Sequence, residues 1–276
     1  MPGSYRFSRN INTIRIGFKV KSTNNNVTLP LSVVIITRDA ARQLSACLQS
    51  TVFADETVVI DSGSEDGTVE LAKDLGARVI HHDWQGFGQQ KQFAVNQAKH
   101  DWVLCLDSDE QVSEELRVSI ETTLRMPEYM AYKMARCNRF MGRYLRHGEG
   151  YPDWSLRLFH RGHASWSDDN VHEKVLTQTS LGELSGDLLH ESEQGLSDYL
   201  DKQNRYTSLQ ALSLHQAGKK VGCGKLVLSP LARFVKFYLL RGGFLDGVPG
   251  LIHILVGCFN TFSKYAKLME YNRGAR

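Results

Sequence analysis

Leu31–Thr37 reads Leu-Ser-Val-Val-Ile-Ile-Thr, a nearly unbroken β-branched run punctuated at its start by Pro30. Such a run suits a strand buried on both faces of a parallel sheet. Ala40–Ser50 then spaces Leu44, Cys47 and Leu48 at helical intervals, and Glu56–Ile60 returns to an apolar run that ends at Asp61. Strand, helix, strand is a βαβ unit. Asp61–Thr68 is a loop rich in turn formers, Thr68–Leu75 predicts a helix closed by Gly76, and Ala77–His81 predicts a short third strand. Gln89–Lys99 predicts a further helix and Asp101–Leu106 the strand after it. The alternation predicts an α/β fold: an open, mostly parallel sheet with flanking helices and right-handed crossovers.

The pattern changes in the last third. Leu196–Ala217 predicts a long amphipathic helix, with Tyr199, Tyr206, Leu209 and Leu212 on or near one face. Beyond it, Lys219, Lys220, Lys225, Arg233, Lys236 and Arg241 interleave with Leu226–Leu228, Leu231 and Phe237–Leu240. Basic residues beside aromatic and aliphatic ones are what an interfacial helix on an anionic bilayer needs. Val248–Phe262 is strongly apolar, but it contains Pro249, Gly250, His253 and Asn260 and falls short of the ~20 residues of a spanning helix. The chain therefore divides into a flexible leader (1–29), an α/β domain (30–195) and a helical, membrane-associating extension (196–276).

Charge and composition narrow the classes. A net charge of +3 over 276 residues gives no support to a nucleic-acid-binding protein, which would show a dominant basic stripe. The five cysteines form no CxxC pair, and Cys47 and Cys105 fall inside apolar segments. They read as reduced, buried thiols of a cytoplasmic protein. The leader has several Arg and Lys residues but no continuous apolar core, so it does not read as a secretory signal.

In open α/β sheets, ligands bind beyond the carboxyl ends of the strands. Thr37, Asp61 and Asp107 all close predicted strands, so the topology should gather them on one edge. Val103–Glu110 delivers Asp107, Asp109 and Glu110 within four residues, a density of like charge that calls for a cation or a cationic ligand. Asp107 and Asp109, one residue apart, suit Mg²⁺ or Mn²⁺ held by few protein ligands and completed by phosphate oxygens. Asp61 followed by Ser62-Gly-Ser suits the hydroxyls or ring N–H of a nucleoside. With no GxxxxGK[ST] and no GxGxxG, the set reads as a nucleoside diphosphate site of another kind. Glu110 reads as a loop-shaping residue. Lys91, Arg157 and Arg161 are the candidate cations for a leaving diphosphate; Arg157 sits in a half-buried strand pattern, where an arginine is expensive unless paired. Asp168–Glu173 is the densest acidic cluster of the second half.

Ser32–Thr37, Val58–Thr68 and Trp102–Glu110 resemble, in order and spacing, the motifs of the inverting family 2 glycosyltransferases, which have the GT-A nucleotide-sugar-binding fold. Trp84–Lys91, Val171–Glu173 and Gly243–Gly247 further resemble the bacterial lipopolysaccharide-core β-1,4-glucosyltransferases, which add a sugar to an inner-core heptose. The resemblance spans roughly residues 31 to 270. It implies that Thr37 borders the base, Asp61 contacts the uridine, Asp107 meets the ribose or the metal-bound diphosphate, and Asp109 binds the metal. His190 stands where several GT-A enzymes complete the metal shell with a histidine. Glu173, with Asp169 as runner-up, is the base that takes the acceptor's proton. Many members read Thr-Lys-Asn-Glu where this chain has Thr37-Arg-Asp-Ala40, so that acidic contact is lost or moves to Asp39. Of Trp84, Phe87, Trp154 and Trp166, one or two are expected to face the acceptor and the rest to be core.

The function implied is transfer of a hexose from a nucleotide-sugar donor, UDP-glucose, to a lipid-linked saccharide acceptor at the inner leaflet of the cytoplasmic membrane, with Mg²⁺ or Mn²⁺. Two alternatives stay open: a polyprenyl-phosphate sugar synthase, whose phosphate acceptor needs no base, and a catalytically silent nucleotide-sugar-binding protein.

Overall fold

The computed structural model describes residues 29–168, 173–191 and 195–274. In chain order β1 (Leu29–Thr37), α1 (Ala41–Gln49), β2 (Ala54–Asp61), α2 (Thr68–Asp74), β3 (Arg78–His81), α3 (Phe87–Gln97) and β4 (Trp102–Asp107) reproduce the expected βαβ alternation. These four strands run parallel in the order β3-β2-β1-β4. Period-2 alternation along β1 sends Leu31, Val33 and Ile35 to one core with Leu44 and Leu48, and Val34 and Ile36 to the other with Ala94 and Val95. The strand is buried on both faces because α1 covers one and α3 the other.

β5 (Glu110–Val112), α4 (Glu114–Arg125), β6 (Ala131–Phe140), β7 (Arg143–Tyr144), β8 (Asp153–His160), β9 (Ala164–Trp166), β10 (Val175–Thr177) and β11 (Gly182–His190) follow. The sheet extends beyond β4 as β8-β6-β11-β5, with β7 paired to β6, while β9 and β10 form a separate two-stranded ribbon. β8 runs antiparallel to β4 and β6, β11 is parallel to β6, and β5 runs against β11. The sheet is thus mostly parallel, as expected, with antiparallel insertions in its second half.

Register sets the functional edge. Thr37 pairs with Asp61 across β1 and β2, and Ile36 with Asp107 across β1 and β4. At the far side, His190 ends β11 opposite Asn138 of β6 and Glu110 of β5. Parallel pairing therefore carries the end of β11 to the edge already holding the ends of β1, β2 and β4.

The C-terminal helices are α5 (Leu196–Gln216), α6 (Cys223–Phe234) and α7 (Gly247–Gly274), with a π-helical turn over Val235–Leu240 and a 3₁₀ turn over Gly243–Asp246 between the last two. α7 packs on α5 and α6. The apolar stretch expected to be too short for a span lies inside a longer helix. By length and composition Gly243–Gly274 is able to cross a membrane, with mean hydropathy 1.3 and 28% of its apolar window buried. Pro249 does not break it, because it stands in the first turn where its missing N–H has no intrahelical partner to lose. Gly250 permits the close start of α7, since a Cβ there would lie 2.7 Å from the Gly243 carbonyl oxygen.

Gly243–Gly247 anchors these helices to the sheet. The Asp246 carboxylate accepts the His147 backbone N–H at 2.8 Å and faces His147 Nδ1 at 3.0 Å. Arg143 donates to the Leu245 carbonyl at 2.9 Å.

Candidate active site

A cleft of about 440 Å³ opens at the shared strand edge, lined by Thr37, Asp107 and Asp109 on one side and by Trp84, Phe87 and His190 on others. Four of the residues expected at the site, Thr37, Asp107, Asp109 and His190, therefore line one space. Thr37 Oγ1 is buried there without a hydrogen-bond partner, the condition of a polar atom that a ligand would satisfy. Trp84 and Phe87 meet edge to face at 4.7 Å and are about half exposed, so they form an aromatic wall. The other two aromatic candidates do not line this cleft: Trp154 carries Lys133 over its ring at 4.7 Å, and Trp166 is core.

Asp107 is the centre of a chain of alternating charges. Lys91 Nζ lies 3.0 Å from one of its oxygens and 3.2 Å from Glu173 Oε1. Arg157 bridges the other oxygen at 2.7 Å to Glu110 Oε1 at 2.8 Å, and Glu110 Oε2 accepts the Asp107 backbone N–H at 3.0 Å. Lys91, Arg157 and Glu110 are 4%, 5% and 0% exposed. Burial opposes ionisation of Asp107, but Arg157 and then Lys91 outweigh it and hold its carboxyl well below the usual carboxylate range. Burial likewise works against the Arg157 charge, and Glu110 followed by Asp107 drives it back above its ordinary value. The Trp166 ring lies beneath both cations, 4.8 Å from Lys91 Nζ and 5.7 Å from the Arg157 guanidinium carbon. Burial pushes the neighbouring Cys105 thiol up to about 12, which keeps it neutral.

Arg157 is therefore engaged by carboxylates and does not line the cleft; it acts on the site through Asp107. Arg161, the other candidate strand cation, is corrected out of the site. Antiparallel pairing of Trp102 with His160 puts residue 161 at the N-terminal end of β4, opposite Asp107, where it meets Asp101 at 3.1 Å. Glu110 does more than the loop-shaping expected of it. It occupies a core-facing position of β5, and its charge is tolerated because Arg157 neutralises it.

Asp61, Ser62 and Asp39 lie in and against the adjoining 61–68 loop and do not line the cleft. Asp61 Oδ2 accepts the Gly63 and Ser64 backbone N–H groups at 2.9 and 3.1 Å, and the Ser64 hydroxyl bonds Oδ1. Ser62 Oγ accepts from Gln90 Nε2 at 2.9 Å. Asp39, with φ of 48°, accepts the Glu65 N–H at 2.8 Å and so ties the loop to the end of β1. Asp169 lies outside the described residues.

The sequence family described as glycosyl transferase family 2 matches residues 32–175. The chain is 30% identical over 250 residues to a lipopolysaccharide core biosynthesis glycosyltransferase, LpsC, of Rhizobium meliloti, covering 88% of this chain and 93% of that one. It is also 30% identical over 259 residues to an uncharacterised glycosyltransferase of Rickettsia typhi, covering 89% of each. The chain belongs to glycosyl transferase family 2. Among solved structures this glycosyltransferase is similar to Staphylococcus aureus TarS 1-349, with 14% identity, a TM-score of 0.45 and 89% and 92% of the two chains covered. It is similar over 40% of its length, and 44% of the other chain, to glucosyl-3-phosphoglycerate synthase of Mycobacterium tuberculosis, with 23% identity and a TM-score of 0.35. The architecture of this family 2 glycosyltransferase is the GT-A type: a curled, mostly parallel sheet flanked by helices, here followed by a long C-terminal helix.

The donor set fits a hard divalent cation. His190 Nδ1 donates to Asn138 Oδ1 at 2.7 Å, so Nε2 is the nitrogen left for a second partner. That Nε2 faces Asp109 Oδ2 at 3.2 Å. A carboxylate oxygen and a ring nitrogen so opposed need a proton or a cation between them. A histidine whose second nitrogen is fixed by a hydrogen bond is the usual form of a metal-ligating imidazole. Asn138 was not foreseen from the sequence, because its place beside His190 depends on the β6–β11 register. Among the described residues no group of three or more His, Cys, Asp or Glu side chains forms a ready cage. A two-residue donor set suits an ion that also takes phosphate oxygens.

Proposed function

We propose that this family 2 glycosyltransferase is a metal-dependent, inverting hexosyltransferase that moves glucose from UDP-glucose to an inner-core heptose of lipopolysaccharide. The observation that carries the reading is the meeting of Asp109 and His190 across a cleft that also holds Asp107 and the unpartnered Thr37 hydroxyl. The name of the Rhizobium meliloti relative supports the lipopolysaccharide acceptor.

In this reading Asp109 and His190 would hold the cation, whose contribution there would be counter-charge for the departing diphosphate. Thr37 addresses the nucleoside from the end of β1, while Asp61, Ser62 and Asp39 shape the 61–68 loop beside it. Asp107, kept ionised by Arg157 and Lys91, addresses the ribose or the diphosphate side. Glu173 takes the proton from the acceptor hydroxyl as that oxygen attacks the anomeric carbon. The glycosyl–phosphate bond breaks on the opposite face, so an α-linked donor yields a β-linked product. Lys91 touches both Glu173 and Asp107, and so sets the base against the donor side of the site.

The acceptor places the enzyme at the inner face of the cytoplasmic membrane. Leu228, Leu231, Leu239 and Leu240 are exposed on α6 and the π-helical turn, beside Lys236 and Arg241, which both pack over the Phe237 ring. Apolar side chains among cations are the composition of an interfacial anchor.

The test is transfer from UDP-glucose to a heptose-terminated core oligosaccharide with Mn²⁺, with the product linkage read by NMR. A β-linked product is expected. Glu173→Gln is expected to lower kcat by about 10²–10⁴ while leaving UDP affinity unchanged. Full turnover by Glu173→Gln would instead favour a phosphate acceptor that needs no base.

A further inference from the structure

A second recess, of about 170 Å³, lies on the other side of His190, between β6 and the helices α5 and α7. His190 lines both this recess and the donor cleft, so the two are neighbours through one imidazole. Its volume suits a single sugar ring better than a nucleotide.

One wall is aromatic. Tyr199 and His253 lie nearly parallel at 5.9 Å, and Phe140 meets them edge-on at 5.2 and 5.3 Å. Such a surface suits the apolar face of a pyranose. The residues that line the space carry several hydrogen-bond donors. Among the described residues no hydrogen bond or ion pair engages Lys202, Gln203 Nε2 or Asn138 Nδ2, while the oxygens of both amides accept, from Asn260 and from His190. Arg139 adds a guanidinium that gives only one of its arms to Glu191, at 2.9 Å. His253 Nδ1 is buried without a partner. An array of donors with one unpaired cation is complementary to a group that only accepts, which means a carboxylate or a phosphate.

We infer that this recess is a subsite for an anionic sugar, one carrying a carboxylate or a phosphate, and that it seats the acceptor beside the donor cleft. Calling the ligand an acceptor rests on the transferase reading above; the binding itself does not. The aromatic wall stacks the ring, Lys202 and Arg139 take the charge, and the rest of the saccharide reaches past His190 toward the reaction centre.

Equilibrium binding to the full chain, by calorimetry without any donor, tests this with mannose 6-phosphate, galacturonate, mannose and glycerol 1-phosphate as probes. The two anionic sugars are expected to bind, and Lys202→Gln is expected to weaken both by roughly tenfold or more at an unchanged melting temperature. Mannose binding as well as its phosphate would overturn the anion requirement. Glycerol 1-phosphate binding as well as mannose 6-phosphate would overturn the sugar requirement and point to a lipid headgroup. Unaltered affinity in Lys202→Gln would overturn the site. Because no donor is present, loss of transfer for any other reason leaves these outcomes intact.

Discussion

At the scale of single residues, the site is held by charges that could not be buried separately. Glu110 is fully enclosed, and after Arg157 its next cation is Arg136, 3.7 Å away. Removing Arg157 therefore strands a carboxylate in the core and frees Asp107 on one side. Arg157→Met is expected to destabilise the fold by about 3–5 kcal/mol in urea titration, and Glu110→Gln in the same chain is expected to restore part of that loss. A loss under about 1 kcal/mol would mean that Arg157 is not the partner that makes Glu110 tolerable. This network was only partly legible in the sequence. An arginine in an apolar strand announced that it needed a partner, but not which one. The partner follows from the antiparallel register of β8 against β4, which no local pattern encodes.

At the scale of elements, what could be read beforehand was what is local. β1, β2 and β4 declared themselves as β-branched or apolar runs, and their terminal Thr37, Asp61 and Asp107 converge because parallel strands share a carboxyl edge. His190 reaches that edge on β11 through pairing with β6, so its orienting neighbour Asn138 was invisible. α7 runs beyond the apolar stretch 248–262 because the polar residues within it do not interrupt it. In the fold Asn260 turns to Gln203 of α5 at 2.9 Å, which satisfies it without ending the helix. The exposed leucines of α6 and the π-helical turn carry their own test. The protein is expected to float with vesicles containing phosphatidylglycerol and less so as salt rises. Leu228→Ser is expected to weaken the partition by roughly tenfold, the value of one leucine taken out of water. Equal binding to neutral vesicles at high salt would contradict an anionic interface.

At the scale of the whole molecule, the order of parts describes a path. On the proposed function the helical extension would meet the lipid surface, the recess beside α5 would receive the acceptor and the strand ends would hold the donor, with His190 lining both recess and cleft. Asp246 and Arg143 tie the helices to the sheet, so the two ends of that path are fixed with respect to one another. The proposed transfer depends most on Asp109 and His190 holding a cation for the donor's diphosphate. Calorimetric titration of UDP into the full chain, with and without Mn²⁺, addresses this directly when wild type is set beside Asp109→Asn. Mn²⁺ is expected to tighten UDP by roughly tenfold or more in the wild type, and that increment is expected to vanish in Asp109→Asn. UDP affinity that is the same with and without Mn²⁺ in the wild type would contradict the account.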